Sequence, residues 1–483
     1  MRFIATCLLS LSFFSVVGQY NNDRWIIGFS PPTLVTFEDL IISKSTYNSP
    51  NLYAFGRGQS NISYLSEMPL SCNGYFLFNK HGELIENGDY LVPHKLVDAQ
   101  SKFSQYSQQS IILPKSNNQY YIFVGSMSDG EFDTCQVAGG CVFDILTYSI
   151  ADMDANSGNG KVISKTNYLL SNDSIKDALT ACRHANGRDW WLIVPHSHKH
   201  AYNIFLVTQD SIQLSQIQNF DNPIIRPHRI SQASFSLDGS LYSISQNNEP
   251  IMIIDQFDRC KGEFTPYRIL NVPFDTIAQE YAGSGNCFSP DNRFLYISST
   301  NYIYQYEIST GEFVLLTDSI NWKSNVGIFY AVDGKMYIGN YDYTDSLMSY
   351  IRYPNKKGKA CELCTNCFTT KNVNASSPPN MPNYSLGALK GSPCDTIGKS
   401  QSKTMLVYPN PASSYLHIYF PQAMNTNVEL AFYDMLGQRV YSWQKVLNSK
   451  QEVVLSLPNI SVGLYTLQAE VNGERYVAKV LIE

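Results

Sequence analysis

Three segments of this chain repeat one phrase, and that repeat restricts the fold more than any bulk property does. Phe235-Ser236-Leu237-Asp238-Gly239-Ser240-Leu241-Tyr242-Ser243-Ile244-Ser245 aligns with Phe288-Ser289-Pro290-Asp291-Asn292-Arg293-Phe294-Leu295-Tyr296-Ile297-Ser298. A third copy, Tyr330-Ala331-Val332-Asp333-Gly334-Lys335-Met336-Tyr337-Ile338-Gly339, begins 42 residues after the second. The first two copies are each followed by a further strand pattern and a Gly-Glu-Phe turn, at Gly262-Glu263-Phe264 and Gly311-Glu312-Phe313. A four-stranded propeller blade needs roughly 40 to 50 residues and buries its faces only against neighbouring blades, so this spacing predicts a β-propeller. The Asp-Gly or Asp-Asn pair supplies a turn tolerant of positive φ, and the apolar-Tyr-Ile run after it is expected to be an inner strand packed between blades.

Composition agrees with an all-β chain. Aromatic residues make up 13% of the sequence and charged residues 16%, and long helical periodicity is absent. Tyr75-Phe76-Leu77-Phe78, Tyr120-Tyr121-Ile122-Phe123-Val124, Phe143-Ile145-Tyr148, Trp190-Trp191-Leu192-Ile193-Val194 and Asn203-Ile204-Phe205-Leu206-Val207 all read as strands. At this repeat length the middle of the chain accommodates about seven blades.

The two ends differ from the middle. Arg2 precedes an apolar stretch from Phe3 to Val17, and Val16-Val17-Gly18 offers small residues before Gln19, the layout of a secretory signal peptide over 1–18. No other run is apolar enough to span a bilayer, so the mature chain is expected to lack a transmembrane segment. The formal net charge of −6 becomes −7 once Arg2 is removed with that segment, which leaves no electrostatic footprint for nucleic acid. At the other end Leu416-Ile418-Phe420, Val428-Leu430-Phe432, Val453-Leu455-Leu457 and Tyr465-Leu467-Ala469 alternate with period two between turn residues, the signature of a small β-sandwich. Pro409 and Pro411 cannot donate ladder hydrogen bonds and mark its boundary.

Tyr408-Pro409-Asn410-Pro411, the phrase Ala431-Phe432-Tyr433-Asp434-Met435-Leu436-Gly437-Gln438-Arg439-Val440, and Gly463-Leu464-Tyr465 together resemble the type A C-terminal sorting domain that Bacteroidetes use for type IX secretion. The resemblance covers 404–483 and implies an Ig-like sandwich recognised by an outer-membrane translocon and removed by a sorting peptidase. Pro409, Asn410, Pro411, Gly437, Gly463 and Tyr465 would carry the signal. Trp25-Ile26-Ile27-Gly28-Phe29, Cys72-Asn73-Gly74-Tyr75-Phe76-Leu77-Phe78, His184-Ala185-Asn186-Gly187-Arg188-Asp189-Trp190-Trp191 and Gly391-Ser392-Pro393-Cys394-Asp395 resemble a group of secreted Bacteroidetes propeller proteins. The expected organisation is a signal peptide at 1–18, a propeller over 19–395, a linker at 396–403 and the sorting domain at 404–483, with a final location outside the cell or on its outer surface, reached through the periplasm.

Ten cysteines remain after Cys7 leaves with the signal segment, an even number suited to disulfides in an oxidising compartment. Cys135 and Cys141 flank a tight loop, and Cys260 and Cys287 are placed to staple adjacent strands or blades. Cys361, Cys364, Cys367 and Cys394 could hold tetrahedral zinc, but three cysteines in one run depart from paired knuckles, so disulfides are weighed above metal. Cys72 and Cys182 are either a remote pair or free core thiols.

Histidines offer the one hint of metal chemistry. His196, His198 and His200 alternate and would share a face if Pro195 does not end the strand, with His184 near in sequence. The flanking Pro195, Ser197 and Lys199 favour an exposed polar connection that contributes at most binding contacts, so no metal or other cofactor is expected. The tripeptides containing Ser174, Ser211, Thr276, Ser319, Ser346 and Thr396 each follow Asp and precede an apolar residue, which resembles the O-glycosylation acceptor motif of exported Bacteroidetes proteins and equally suits turns after strands.

Nucleophile elbows, zincin motifs, phosphate loops and catalytic cysteine motifs are absent from the sequence. A non-catalytic role is favoured: a secreted or cell-surface propeller binding a glycan, peptide or neighbouring protein through loops at one mouth. The alternatives are a propeller glycosidase or lactonase, marked by convergent carboxylates in the central channel, and a structural part of surface or gliding machinery.

Overall fold

Each repeated phrase folds as the turn joining the strand nearest the propeller axis to the next strand outward, and its serine and aspartate build that turn. In the computed structural model the Ser236 hydroxyl donates to Asp238 Oδ1 at 2.7 Å and accepts from the Leu241 amide at 3.0 Å, while the same Oδ1 accepts from the Ser240 amide at 3.0 Å. The second copy repeats this, with Ser289 Oγ donating to Asp291 Oδ1 at 2.6 Å and accepting from the Phe294 amide at 2.8 Å. In the third copy Ala331 replaces the serine, and Asp333 Oδ1 accepts from the Lys335 amide at 3.2 Å. The residue after each aspartate is left-handed, with φ of 73° at Gly239, 58° at Asn292 and 84° at Gly334, a conformation that glycine and asparagine adopt at low cost.

The structure describes residues 20–483 other than 22, 29–30, 39–40, 48–52, 65–66, 100–101, 117, 139–141, 222–231, 247–250, 274–284, 299–301, 318–324, 341–345, 371–376, 397–404, 421–426, 435–437, 447–451, 458–459 and 472–473. The expected signal peptide, Cys141, Thr276, Ser319 and Gly437 lie outside the described residues. The chain divides into two compact units, Met1–Leu389 and Lys390–Glu483.

The described residues of the first unit form seven antiparallel sheets, the blades of a β-propeller. Blade one is three-stranded, Arg24–Ile27, Thr33–Glu38 and Ile41–Thr46. Blade two contains Ser60–Tyr64, Glu67–Cys72 and Leu77–Asn79, and Tyr20–Asn21 adds to its first strand. Blade three runs from Ser110–Ser116 to Lys161–Ile175, and blade four from Thr180–Arg183 to Ile212–Asn219. Blades five, six and seven begin with Ala233–Phe235, Gly285–Phe288 and Asn325–Tyr330, and end with Glu263–Asn271, Glu312–Leu315 and Leu363–Thr369.

The apolar-Tyr-Ile runs are therefore the second strands of their blades, at Leu241–Gln246, Phe294–Ser298 and Met336–Asn340, and the short strands before each turn lie nearer the axis. Both faces of a blade are covered by neighbours, so a mid-blade strand such as Phe294–Ser298 is buried at every residue and reads as a continuous apolar run. The outermost strand Ile212–Asn219 is instead largely exposed and polar.

Aromatic packing joins blade seven to blade one. Trp25, Val35 and Phe37 are buried with Tyr337, Met348 and Phe368. Tyr337 meets Trp25 edge-on at 5.5 Å and Phe37 at 5.7 Å between ring centroids, and each such pair contributes about 0.5–1.5 kcal/mol beyond its buried area.

The second unit is a sandwich of a three-stranded sheet, Leu406–Tyr408, Tyr415–Tyr419 and Glu452–Ser456, and a four-stranded sheet, Asn427–Tyr433, Arg439–Val446, Gly463–Val471 and Glu474–Ile482. Leu416, Ile418, Phe420, Leu430, Phe432 and Leu467 fill its core, as the period-two pattern requires.

Candidate functional site

Buried amides knit the propeller axis together. The Gln108 side chain, just ahead of blade three, donates to the Ala233 carbonyl at 2.9 Å and accepts from the Ala233 amide at 2.7 Å. Gln232 repeats this pairing on blade seven, donating to the Ile328 carbonyl at 2.7 Å and accepting from its amide at 2.9 Å. Each glutamine thus bridges blades that are not adjacent in sequence and satisfies backbone groups that a short inner strand leaves unpaired.

The chain returning from blade seven crosses the axis over 377–389. Asn380 donates through Nδ2 to the Ser110 and Leu179 carbonyls, both at 2.9 Å, and its Oδ1 accepts from Gln108 Nε2 at 3.1 Å. Tyr384 donates its hydroxyl proton to the Ile112 carbonyl at 2.7 Å and packs edge-on against Trp190. Arg183 donates to the Tyr384 carbonyl at 2.8 Å, and the Arg259 guanidinium to the Gly387 carbonyl at 2.5 Å. No motif in the sequence announces this strap. Ser377-Pro378-Pro379-Asn380-Met381-Pro382-Asn383-Tyr384 reads as a connection, and its one signal is an isolated Tyr among prolines and asparagines.

Beside the strap lies a cavity of about 360 Å³. Phe235, Phe288, Phe329 and Tyr330 contribute aromatic surface, and Arg183, Ser234 and Asn383 contribute polar groups. Among the described residues, the lining contains neither Asp nor Glu, the groups that glycosidic acid–base chemistry uses in pairs. Cys182 and Cys287 also line it. Burial pushes both thiols up to about 12, and a protonated thiol is a poor nucleophile.

None of the four histidines lines the cavity. His184 is buried in the turn before Trp190–Pro195, its Nδ1 accepting from the Asn186 amide at 3.0 Å and its ring 5.1 Å from Trp191. Desolvation holds its pKa below the usual histidine value. His196 and His198 have ring centroids 6.0 Å apart, with His198 exposed. His200 departs from the expected exposed connection. It is 1% exposed, with Nε2 3.0 Å from both Asp255 Oδ2 and the Tyr202 hydroxyl, and Tyr202 donates to the same carboxylate oxygen at 2.7 Å. Strand parity ends at Pro195, so alternation no longer fixes which way each histidine faces. Among the described residues no group of three or more His, Cys, Asp or Glu could hold a metal ion.

The cysteines follow the expectation in part. Cys364 and Cys367 are bonded to each other, and Cys135, Cys260 and Cys394 are each disulfide-bonded. Cys287 and Cys361 are free and buried, as are Cys72 and Cys182. The expected Cys260–Cys287 staple is therefore absent, because Cys287 lies on the axis strand Gly285–Phe288 and packs with Ile328 and Ile338 of blade seven. A four-cysteine zinc site is likewise overturned, since two of its members are joined and Cys361 packs in the core between blades six and seven.

Among the Asp-Ser/Thr positions, Ser211 sits in a tight turn, its amide donating to Thr208 Oγ1 at 3.0 Å. Ser174 lies within the strand Lys161–Ile175 rather than in a turn. Ser346 immediately precedes the strand Leu347–Ile351, and Thr396 ends a 3-10 turn.

In the second unit Asn410 explains the opening motif. Its Nδ2 donates to the Lys479 carbonyl at 2.9 Å and its Oδ1 accepts from the Leu481 amide at 2.9 Å. Pro409 and Pro411 flank it and are both cis. The side chain thus pins the start of the sandwich to its last strand, next to the parallel bridge between Ala412 and Ile482. Gly463 opens the strand Gly463–Val471, in which Tyr465 is buried and donates to the Ser461 carbonyl at 2.8 Å. Residues 406–483 match the family described as the secretion system C-terminal sorting domain. The protein is a type IX secretion cargo. Its sorting domain directs it to the cell surface or beyond, and no helix among the described residues is long and apolar enough to cross a membrane.

Solved structures similar to this cargo include a candidate 6-phosphogluconolactonase from Bacteroides fragilis, at 9% identity and a TM-score of 0.44, covering 74% of this chain and 97% of that one. The β-propeller domain of Cps50 (Swd1) from Myceliophteria thermophila matches at 12% identity and a TM-score of 0.38, over 69% and 92% of the two chains. Apo AztD from Citrobacter koseri matches at 11% and 0.36, over 75% and 97%. At such distances none of them bears on activity. No curated protein matches the chain.

Proposed function

We propose that this cargo acts outside the cell as a binding protein whose axial cavity is the ligand site. The supporting observation is the cavity itself: about 360 Å³, with aromatic surface from Phe235, Phe288, Phe329, Tyr330 and Tyr384, polar side chains such as Arg183, Ser234 and Asn383 suited to orienting a ligand, and no carboxylate among its described lining residues. Small-molecule sites commonly combine an apolar wall with a few such polar groups, and their volumes begin at about 300 Å³. The matching ligand has an apolar face and a hydrogen-bonding edge, as a sugar ring or a peptide side chain does.

Val332 lines the cavity and is 51% exposed, so Val332→Trp narrows its mouth without disturbing the core. Calorimetric titration with oligosaccharide and peptide panels should find a ligand whose affinity falls about tenfold or more in that variant. Equal affinity in the two proteins would place binding elsewhere.

The export route implies two further proposals. Residues 1–18 are removed as a signal peptide, and the sorting domain is released by a peptidase after translocation. Ser211, in its half-exposed turn, is the O-glycosylation candidate best supported by its surroundings, and peptide mapping of secreted protein from a native host tests it.

A further inference from the structure

Cys364 and Cys367 are bonded within a single strand, Leu363–Thr369, the outermost of blade seven. A disulfide stabilises a fold mainly by joining parts of the chain that would otherwise be independent, and more so when the closed loop is long. Here only Thr365 and Asn366 lie between the two cysteines. The strand is already held to its neighbour through Leu347↔Thr369, Met348↔Phe368, Tyr350↔Cys364 and Ile351↔Leu363. The bond ties no blade to another and no strand to its neighbour.

The surroundings favour chemistry at sulfur. The ladder is irregular between Met348 and Tyr350, Asn366 is left-handed with φ 51°, and the Asn366 amide donates to Ser349 Oγ at 3.0 Å. This bulge turns Thr365, Asn366 and Cys367 outward, and all three are exposed, while Cys364 is half-buried. The free thiols Cys72, Cys182, Cys287 and Cys361 are all buried. Access decides which sulfur a thiolate can attack.

We propose that Cys364–Cys367 is a thiol–disulfide exchange site that accepts two electrons from an external dithiol. A thiolate of that dithiol attacks Cys367 Sγ, forming a mixed disulfide as the Cys364–Cys367 bond breaks and Cys364 leaves as a thiolate. The second thiol of the reductant, deprotonated, attacks its own bonded sulfur and releases Cys367. The reductant ends as a disulfide, and its two protons and two electrons end on Cys364 and Cys367 as thiols.

The test uses the folded full-length protein, exposed to dithiothreitol or to reduced thioredoxin, then alkylated and mapped by mass spectrometry. Cys364 and Cys367 should become labelled about tenfold or more faster than Cys135, Cys260 and Cys394, with the circular dichroism spectrum unchanged. Reaction with dithiothreitol alone assigns a small dithiol, and faster reaction with thioredoxin at equal thiol concentration assigns a protein partner. Reduction no faster than that of the other bonded cysteines, or only as the propeller unfolds, overturns the proposal. In Cys364→Ser, the remaining Cys367 thiol should form a stoichiometric adduct with oxidised glutathione, and failure to do so in the folded protein overturns it equally. The double variant Cys364→Ser/Cys367→Ser should melt within about 2 °C of wild type; a loss of many degrees identifies a structural crosslink instead.

Discussion

The Asn410 carboxamide satisfies two backbone groups near the end of the last strand at once, so replacing it leaves a donor and an acceptor to find water. Asn410→Ala should destabilise the sorting domain by about 1 kcal/mol and reduce delivery to the cell surface, as read by urea unfolding and by surface immunolabelling. His200 shows the opposite relation between motif and role. Its sequence context suggested an exposed connection, yet the ring packs 4.6 Å from Phe220 and meets Asp255 and Tyr202 in the interior. His200→Ala removes a buried partner of that carboxylate and should cost about 1–3 kcal/mol in denaturant unfolding. His196→Ala/His198→Ala should leave zinc and copper uptake unchanged in a metal titration; stoichiometric uptake sensitive to that change would revive a metal-dependent reading.

Strand-linking charges make one element of the propeller sensitive to acid. Glu307 ends the third strand of blade six and accepts from Lys357 Nζ at 2.7 Å and from Arg293 Nε at 2.8 Å. Lys357 lies in the connection before the last strand of blade seven, so the carboxylate joins two blades. Hydrogen bonds from Lys357 and then Arg293 hold its pKa down to about 2, against an ordinary value of 4.5. A depressed carboxylate pKa gives stability that is fully present above 4.5 and is lost as pH falls toward about 2. The stability gap between wild type and Glu307→Gln should therefore close across that interval, measured by unfolding midpoints at stepped pH; a constant gap would refute the linkage. The turns are the elements most legible in advance, because their chemistry is local. Gly262 adds a constraint that was not legible: at φ 73°, a Cβ there would lie 2.8 Å from the Trp191 ring of the neighbouring blade.

At the scale of the whole molecule, export and propeller reside in separate compact units. Deleting 404–483 removes every described strand of the sorting sandwich and leaves the seven blades intact. The truncated cargo should then accumulate in the periplasm, as read by cell fractionation, and normal surface delivery would contradict the assignment of the signal. By itself the sequence determined the blade repeat, the Asp-Gly and Asp-Asn turns, the all-β class and the sorting sandwich. Each of these is written in residues a few positions apart, where hydrogen-bonding geometry and strand periodicity act directly. Tertiary structure alone decided that the apolar-Tyr-Ile runs stand second from the axis, that Trp25 and Phe37 pack against Tyr337 where blade one meets blade seven, and that His200 turns inward. It also decided that Asn380 bonds to Ser110, 270 residues away, across the axis. Such pairings leave no local pattern, because an amide satisfied by a distant carbonyl has the same neighbours in sequence as one that faces water.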